Sequence, residues 1–142
     1  ALPDATGLLH GLTRHNATPA HLVRASVEGM LCGLADAVAA LEAAGVTPRR
    51  IVLIGGAARS DAVRRIAAGL FALPVAVPEP AEYVALGAAR QAAWTLSQDD
   101  APPHWKQGAA VVEPEPSRAD YYARVRASYS AVLEGAQPLL RR

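Results

Sequence analysis

Arg50-Ile51-Val52-Leu53-Ile54-Gly55-Gly56-Ala57-Ala58-Arg59-Ser60 is the stretch whose reading decides the fold. Four aliphatic residues, three of them β-branched, predict a short buried strand. Two glycines end it in a tight turn. Ser60 and Asp61 then open a helix, the serine as N-cap and the aspartate complementing the positive end of the helix dipole. A strand, a glycine turn and a helix N-terminus in immediate succession form a place where a phosphate can sit. No side chain blocks the turn, and the helix offers unpaired N–H groups. A Gly-Gly after a strand also serves as a plain tight turn, and from the pattern alone both readings stand.

Downstream, Val63, Ile66, Ala67 and Leu70 recur at helical spacing, Pro74 closes the helix, and Val75-Ala76-Val77 predicts a second strand. Strand, crossover helix and strand make a βαβ unit with parallel strands. Ligands in such sheets bind beyond the carboxyl ends of the strands. Upstream, Thr18-Pro19 predicts an N-cap followed by proline at the first helical position. Val23, Val27, Met30, Leu31, Leu34, Val38 and Leu41 predict one long helix face, and Gly45 its left-handed stop. Before that helix, Gly7 to Leu12 reads as another short strand. After the second strand come a rigid corner at Pro78-Glu79-Pro80 and an alanine-rich helix from Glu82 to about Ser97 containing Gly87. Residues 98–117, crowded with Asp and Pro, read as a surface linker. Ser117 and Asp120 resemble a capping box, Tyr122, Val125, Tyr129, Val132 and Leu133 form the last helix's apolar face, and Gly135 ends it. The expected fold class is α/β, a short parallel sheet flanked by helices. Its segments are 1–97, a linker over 98–117, and a terminal helix and tail over 118–142.

The composition is 51% hydrophobic and 19% charged, which supports a packed core over 142 residues. A formal net charge of +1 points to no nucleic-acid or membrane-surface partner. No apolar run reaches the ~18 residues of a membrane helix. One cysteine, Cys32, rules out an internal disulfide and fits a reducing, cytoplasmic setting. The N-terminus has neither the basic start nor the apolar stretch of a signal peptide, and it lacks an initiator Met. The chain is expected to be a fragment or a processed product.

The glycine turn is not a P-loop, because G-x-x-x-x-G-K-[ST] is absent. It is not a dinucleotide fingerprint, because G-x-G-x-x-G is not met. His10, His15, His21, His104 and Cys32 share no metal-ligand spacing, so no metal site is expected. Arg59 reads either as a phosphate contact or as a solvated side chain. Arg64-Arg65 and Arg141-Arg142 read as charged surface, Trp94 as a packed residue, and Tyr83 as flanking the glycine turn or packing beneath it.

In combination these stretches resemble a known family. Ile51 to Arg65, Ala67-Ala68, Pro74-Val75 and Glu82-Tyr83-Val84-Ala85-Leu86-Gly87-Ala88-Ala89 look like the C-terminal half of the FGGY carbohydrate kinases, most nearly its xylulokinase branch. Gly11-Leu12-Thr13, His21 to Ala25 and Glu28-Gly29 agree with how that family begins its long helix. The resemblance implies part of an actin-like, ribonuclease-H-like ATPase fold. It implies ATP as the bound nucleotide, with Mg²⁺ in the intact enzyme, and phosphoryl transfer to a ketose such as D-xylulose. Carried onto this chain, Gly55, Gly56 and Ala57 would lie under the nucleotide phosphates, Ser60 near adenine, and Gly87 on a helix close to the pocket. Gly87 has a second reading as simple helix packing. Ala57 departs from a third glycine common in the branch.

The family's catalytic aspartate and most of its sugar contacts belong to an N-terminal domain. Asp4, Asp36, Asp61, Asp99, Asp100 and Asp120 do not replace that aspartate, so no catalytic residue is expected here. The chain by itself is expected to be inactive, beginning inside the nucleotide-binding domain. Its unpaired sheet edge is expected to favour self-association or a homodimer. Kinases of gluconate, ribulose or glycerol, and a non-catalytic actin-like nucleotide-binding or interaction module, are the alternatives.

Overall fold

The computed structural model describes residues 6–105 and 108–140. Asp4 and the Arg141-Arg142 pair lie outside the described residues. Among the described residues four α-helices and three strands follow in the order α1 (Pro19–Ala43), β1 (Ile51–Val52), α2 (Asp61–Phe71), β2 (Val75–Pro78), α3 (Tyr83–Ser97), β3 (Ala109–Val112) and α4 (Ala119–Leu140).

Local chemistry sets the helix ends. The Thr18 side chain accepts from the His21 N–H, and Pro19 begins α1. At the other end Gly45 takes φ +87°. The Gly45 N–H donates to the Glu42 carbonyl at 2.9 Å and the Val46 N–H to the Leu41 carbonyl at 3.0 Å. These two bonds are a Schellman stop, which satisfies carbonyls the helix leaves open. Ser60 caps α2 by accepting from the Val63 N–H at 3.4 Å.

The β-α-β unit is present. Ile51 pairs with Val75 and Val52 with Ala76 in a parallel ladder, and the Leu53 N–H extends it to the Ala76 carbonyl at 2.9 Å. The third strand is not the expected one. Gly7 to Leu12 forms no strand. Instead β3 arises within residues 98–117, the stretch expected as a linker, and runs antiparallel to β2 with Val75 opposite Val112 and Pro78 opposite Ala109. The sheet is therefore mixed, in the order β1-β2-β3, with β2 central.

The core lies on one face of this sheet. Val63, Ile66, Ala67 and Leu70 of α2 meet Val75 and Val77 of β2, with Leu31 and Cys32 of α1 and Tyr122 of α4 closing the cluster. The α1 face is rotated from the expected one. Leu31, Cys32 and Ala35 are buried, whereas Val23, Met30, Leu34 and Leu41 are exposed. On the opposite sheet face Val52 and Val111 are exposed. No residue of α3 is buried, so α3 lies outside the core. Two end signals also differ. The Ser117 hydroxyl donates to Glu115 at 2.7 Å and forms no capping box, and α4 runs through Gly135 to Leu140.

Candidate functional site

A cavity of about 380 Å³ opens beyond the carboxyl ends of β1 and β2. Its first wall is Leu53-Ile54-Gly55-Gly56, the continuation of β1. Its second is Val77-Pro78 with Pro80, Ala81, Glu82 and Tyr83, the passage from β2 into α3. Ala58, Arg59 and Arg64 complete it. Two guanidiniums and one carboxylate, that of Glu82, line the space, so its local charge favours an anion.

The backbone of the loop explains why glycine stands at its start. Gly55 holds φ 91° and ψ −176°, a region that essentially only glycine occupies. That conformation turns the chain out of β1 into a single 3-10 turn, Gly56–Arg59. Within it the Ala58 N–H donates to the Gly55 carbonyl and the Ser60 N–H to the Ala57 carbonyl, both at 3.1 Å. Among the described residues no backbone bond takes the N–H of Gly56 or Ala57. Unpaired N–H groups at a helical start are what a phosphate oxygen needs. A Cβ at Gly56 would meet nothing within 4 Å, so the space in front of the loop is open.

The expected site residues divide. Gly55 and Gly56 line the cavity. Ala57 lies in the adjoining turn. Ser60 is exposed, and its hydroxyl is engaged in capping α2. Gly87 is not on this cavity. It lines a neighbouring hollow of about 240 Å³ with Leu86, Arg90, His104 and Trp105. Tyr83 lines both spaces and joins them. Its hydroxyl donates to the Glu79 carbonyl and ties the Pro78–Pro80 corner to the start of α3. Trp94 is half-buried, and its indole N–H donates to the Asp99 carbonyl at 2.6 Å.

Arg64 is the residue that sequence reasoning missed. Read as charged surface, it is half-buried, lines the cavity, and donates from Nε to the Ala58 carbonyl. A usable signal existed. Side chains in the first turn of a helix lean back over the N-terminal loop. Arg65 behaves as expected of surface, exposed and paired with Asp61 at 2.8 Å. Asp36 approaches Arg126 of α4 at 4.0 Å, away from the cavity. Among the described residues no group of three or more His, Cys, Asp or Glu is placed to hold a metal. No described helix is long and apolar enough to cross a membrane.

Comparison with known proteins adds the family. The FGGY family of carbohydrate kinases, C-terminal domain, matches residues 1–96. A xylulose kinase of Streptomyces coelicolor is 36% identical over 142 residues, covering 99% of this chain and 29% of that protein. A glycerol kinase of Alkalilimnicola ehrlichii is 32% identical over 131 residues, 92% of this chain and 26% of that protein. The crystal structure of xylulose kinase from Rhodospirillum rubrum superposes with a TM-score of 0.84 at 29% identity, covering 99% of this chain and 29% of that one. The chain thus spans under a third of the length of these relatives. With the β1–Gly-Gly–α2 cradle inside the matched region, the chain belongs to the FGGY family of carbohydrate kinases.

Proposed function

We propose that this chain is the nucleotide-binding part of an ATP-dependent sugar kinase acting on a ketose of the D-xylulose type. The observation that carries the reading is the cavity lined by Gly55 and Gly56, with Arg59 and Arg64 at its wall and the N–H groups of Gly56 and Ala57 free of backbone partners. Its volume lies at the lower end of the ~300–1,000 Å³ of small-molecule sites. The loop fits a polyphosphate. Gly55 supplies the turn, Gly56 and Ala57 supply N–H donors, and the guanidiniums offset charge. The pocket's second wall, Pro80 to Tyr83, would face the rest of the nucleotide, with Ser60 near the adenine and Gly87 on the helix beside the pocket.

ATP would supply the phosphoryl group, and Mg²⁺ would arrive on its phosphates, because such ions keep several waters and bind substrate oxygens. Phosphoryl transfer depends mostly on positioning and charge stabilisation. This chain's share is to orient the phosphate chain and keep its charge balanced. The sugar is proposed to be held mainly by a separate N-terminal domain. Xylulose is preferred over glycerol because the Streptomyces xylulose kinase matches across nearly the whole chain at 36% identity. Gluconate, ribulose and glycerol remain the rival substrates, and a non-catalytic nucleotide module the rival class. The proposed setting is cytoplasmic, consistent with the free, buried Cys32. The exposed edge of β1 supports self-association.

Calorimetric titration with ADP, followed by a coupled assay with ATP and D-xylulose, tests the reading. Saturable ADP binding without sugar-dependent turnover by this chain is expected. No ADP binding overturns the nucleotide reading, and turnover overturns the placement of the catalytic base elsewhere.

A further inference from the structure

One contact in the cavity goes beyond the glycine motif. Arg64 sits in the first turn of α2, where its own N–H donates to the Ser60 carbonyl at 3.1 Å. Its side chain reaches back, and Nε donates to the carbonyl of Ala58 inside the 3-10 turn. Ala58 is only 6% exposed, so a carbonyl there is costly to leave unpaired. Arg64 also lines the cavity. Arg65, one position on, turns outward to Asp61 and takes no part.

We propose that Arg64 is the positioning residue of the phosphate loop. It clamps the Gly56–Arg59 turn so that the N–H groups of Gly56 and Ala57 stay free of backbone partners and available to a phosphate. It also keeps a guanidinium at the wall, which favours nucleoside di- and triphosphates over the uncharged nucleoside. The proposal rests on the nucleotide reading above. The chemistry calls for arginine in particular. A guanidinium presents several donors in a fixed fork, so one nitrogen holds the carbonyl while the others face the ligand. A lysine ammonium carries the charge on a flexible stem without that division of labour.

The test uses the whole chain in four forms: wild type, Arg64→Ala, Arg64→Lys and the control Arg65→Ala. Amide hydrogen exchange is read without ligand, and affinities are read for ADP and for adenosine. Arg64→Ala is expected to speed exchange at residues 56–60 while leaving Ala67 and Ala68 protected. It is expected to weaken ADP about tenfold or more, the scale of a charge-assisted hydrogen bond, and to leave adenosine within about twofold. Arg64→Lys is expected to show the faster loop exchange and an intermediate loss of ADP affinity. Arg65→Ala is expected to change neither.

ADP binding that Arg64→Ala leaves intact overturns this proposal alone. So does an equal loss of ADP and adenosine, which marks a merely structural role, and so does full retention of loop protection and ADP affinity in Arg64→Lys. A wild-type chain that binds no ADP sinks the nucleotide reading and this proposal with it.

Discussion

Gly55 and Gly56 are neighbours with different duties. Gly55 holds φ at +91°, where a Cβ is strained whatever the space around it. Gly56 has no such φ and opens onto free space. Gly55→Ala is therefore expected to lower unfolding stability by ~1–3 kcal/mol, measured by urea titration. Gly56→Asp is expected to leave stability nearly unchanged and to weaken ADP, because its carboxylate would stand where phosphate oxygens go. Equal destabilisation by both substitutions would contradict this division. The pair as a turn was legible from the residues alone. Which glycine carries the strain was not, since both precede the same helix and only the backbone angles separate them.

The elements meet through equally specific contacts. A Cβ on Gly69 of α2 would fall on the ring carbons of Tyr122, so α4 seats its tyrosine ring directly on that glycine. Gly69→Ala is expected to cost ~1–3 kcal/mol by overpacking, and Tyr122→Ala in the same chain to recover part of the clash. Additive losses in the double mutant would show that the two residues do not meet. Beside this contact the Tyr121 hydroxyl donates to Glu28 at 3.0 Å, and Arg24 reaches the same carboxylate oxygen at 2.8 Å. Burial first, and then the bond to Glu28, push the Tyr121 phenol above its ordinary 10.0.

A phenol raised in the folded state contributes stability that is fully present below pH 10 and is lost as pH rises through the folded value. Urea midpoints between pH 8 and 11 are expected to fall less steeply for Tyr121→Phe than for wild type, and parallel curves would refute the linkage. The α2 segment was legible because its signals are local: a serine cap, an acidic first turn and a clean apolar face. Strand β3 was not. Its alanines and valines pair with β2 far earlier in the chain, between prolines that read as linker. The α1 face was not legible because apolar residues lie on two sides of that helix, and only packing against α2 and α4 selects Leu31, Cys32 and Ala35. Gly135 failed as a stop because Ala136 is buried, and packing outweighs the ~1 kcal/mol that a helical glycine costs.

At the scale of the molecule the apolar surface is uneven. One face of the sheet is covered by α2, α1 and α4, while Val52 and Val111 on the other face, and Val84 and Leu96 on α3, stand in solvent. Exposed apolar surface beside a β1 edge that pairs with no other described strand favours association. Sedimentation of the chain is expected to give a mass that rises with concentration, and a constant 14.8 kDa species would contradict it. The family was legible from the joint occurrence of the Gly-Gly strand and the Ala-Leu-Gly-Ala helix. The separate placement of Gly87 was not, because α3 lies outside the core. The loop after β1 is proposed to hold the phosphates of a nucleotide. Backbone amide chemical shifts, followed during titration with ADP, test it most directly. Saturable shifts concentrated at Gly55, Gly56 and Ala57 are expected, with smaller ones at Glu82 and Tyr83. Saturable shifts confined to other surfaces, with the loop amides unmoved, would contradict it.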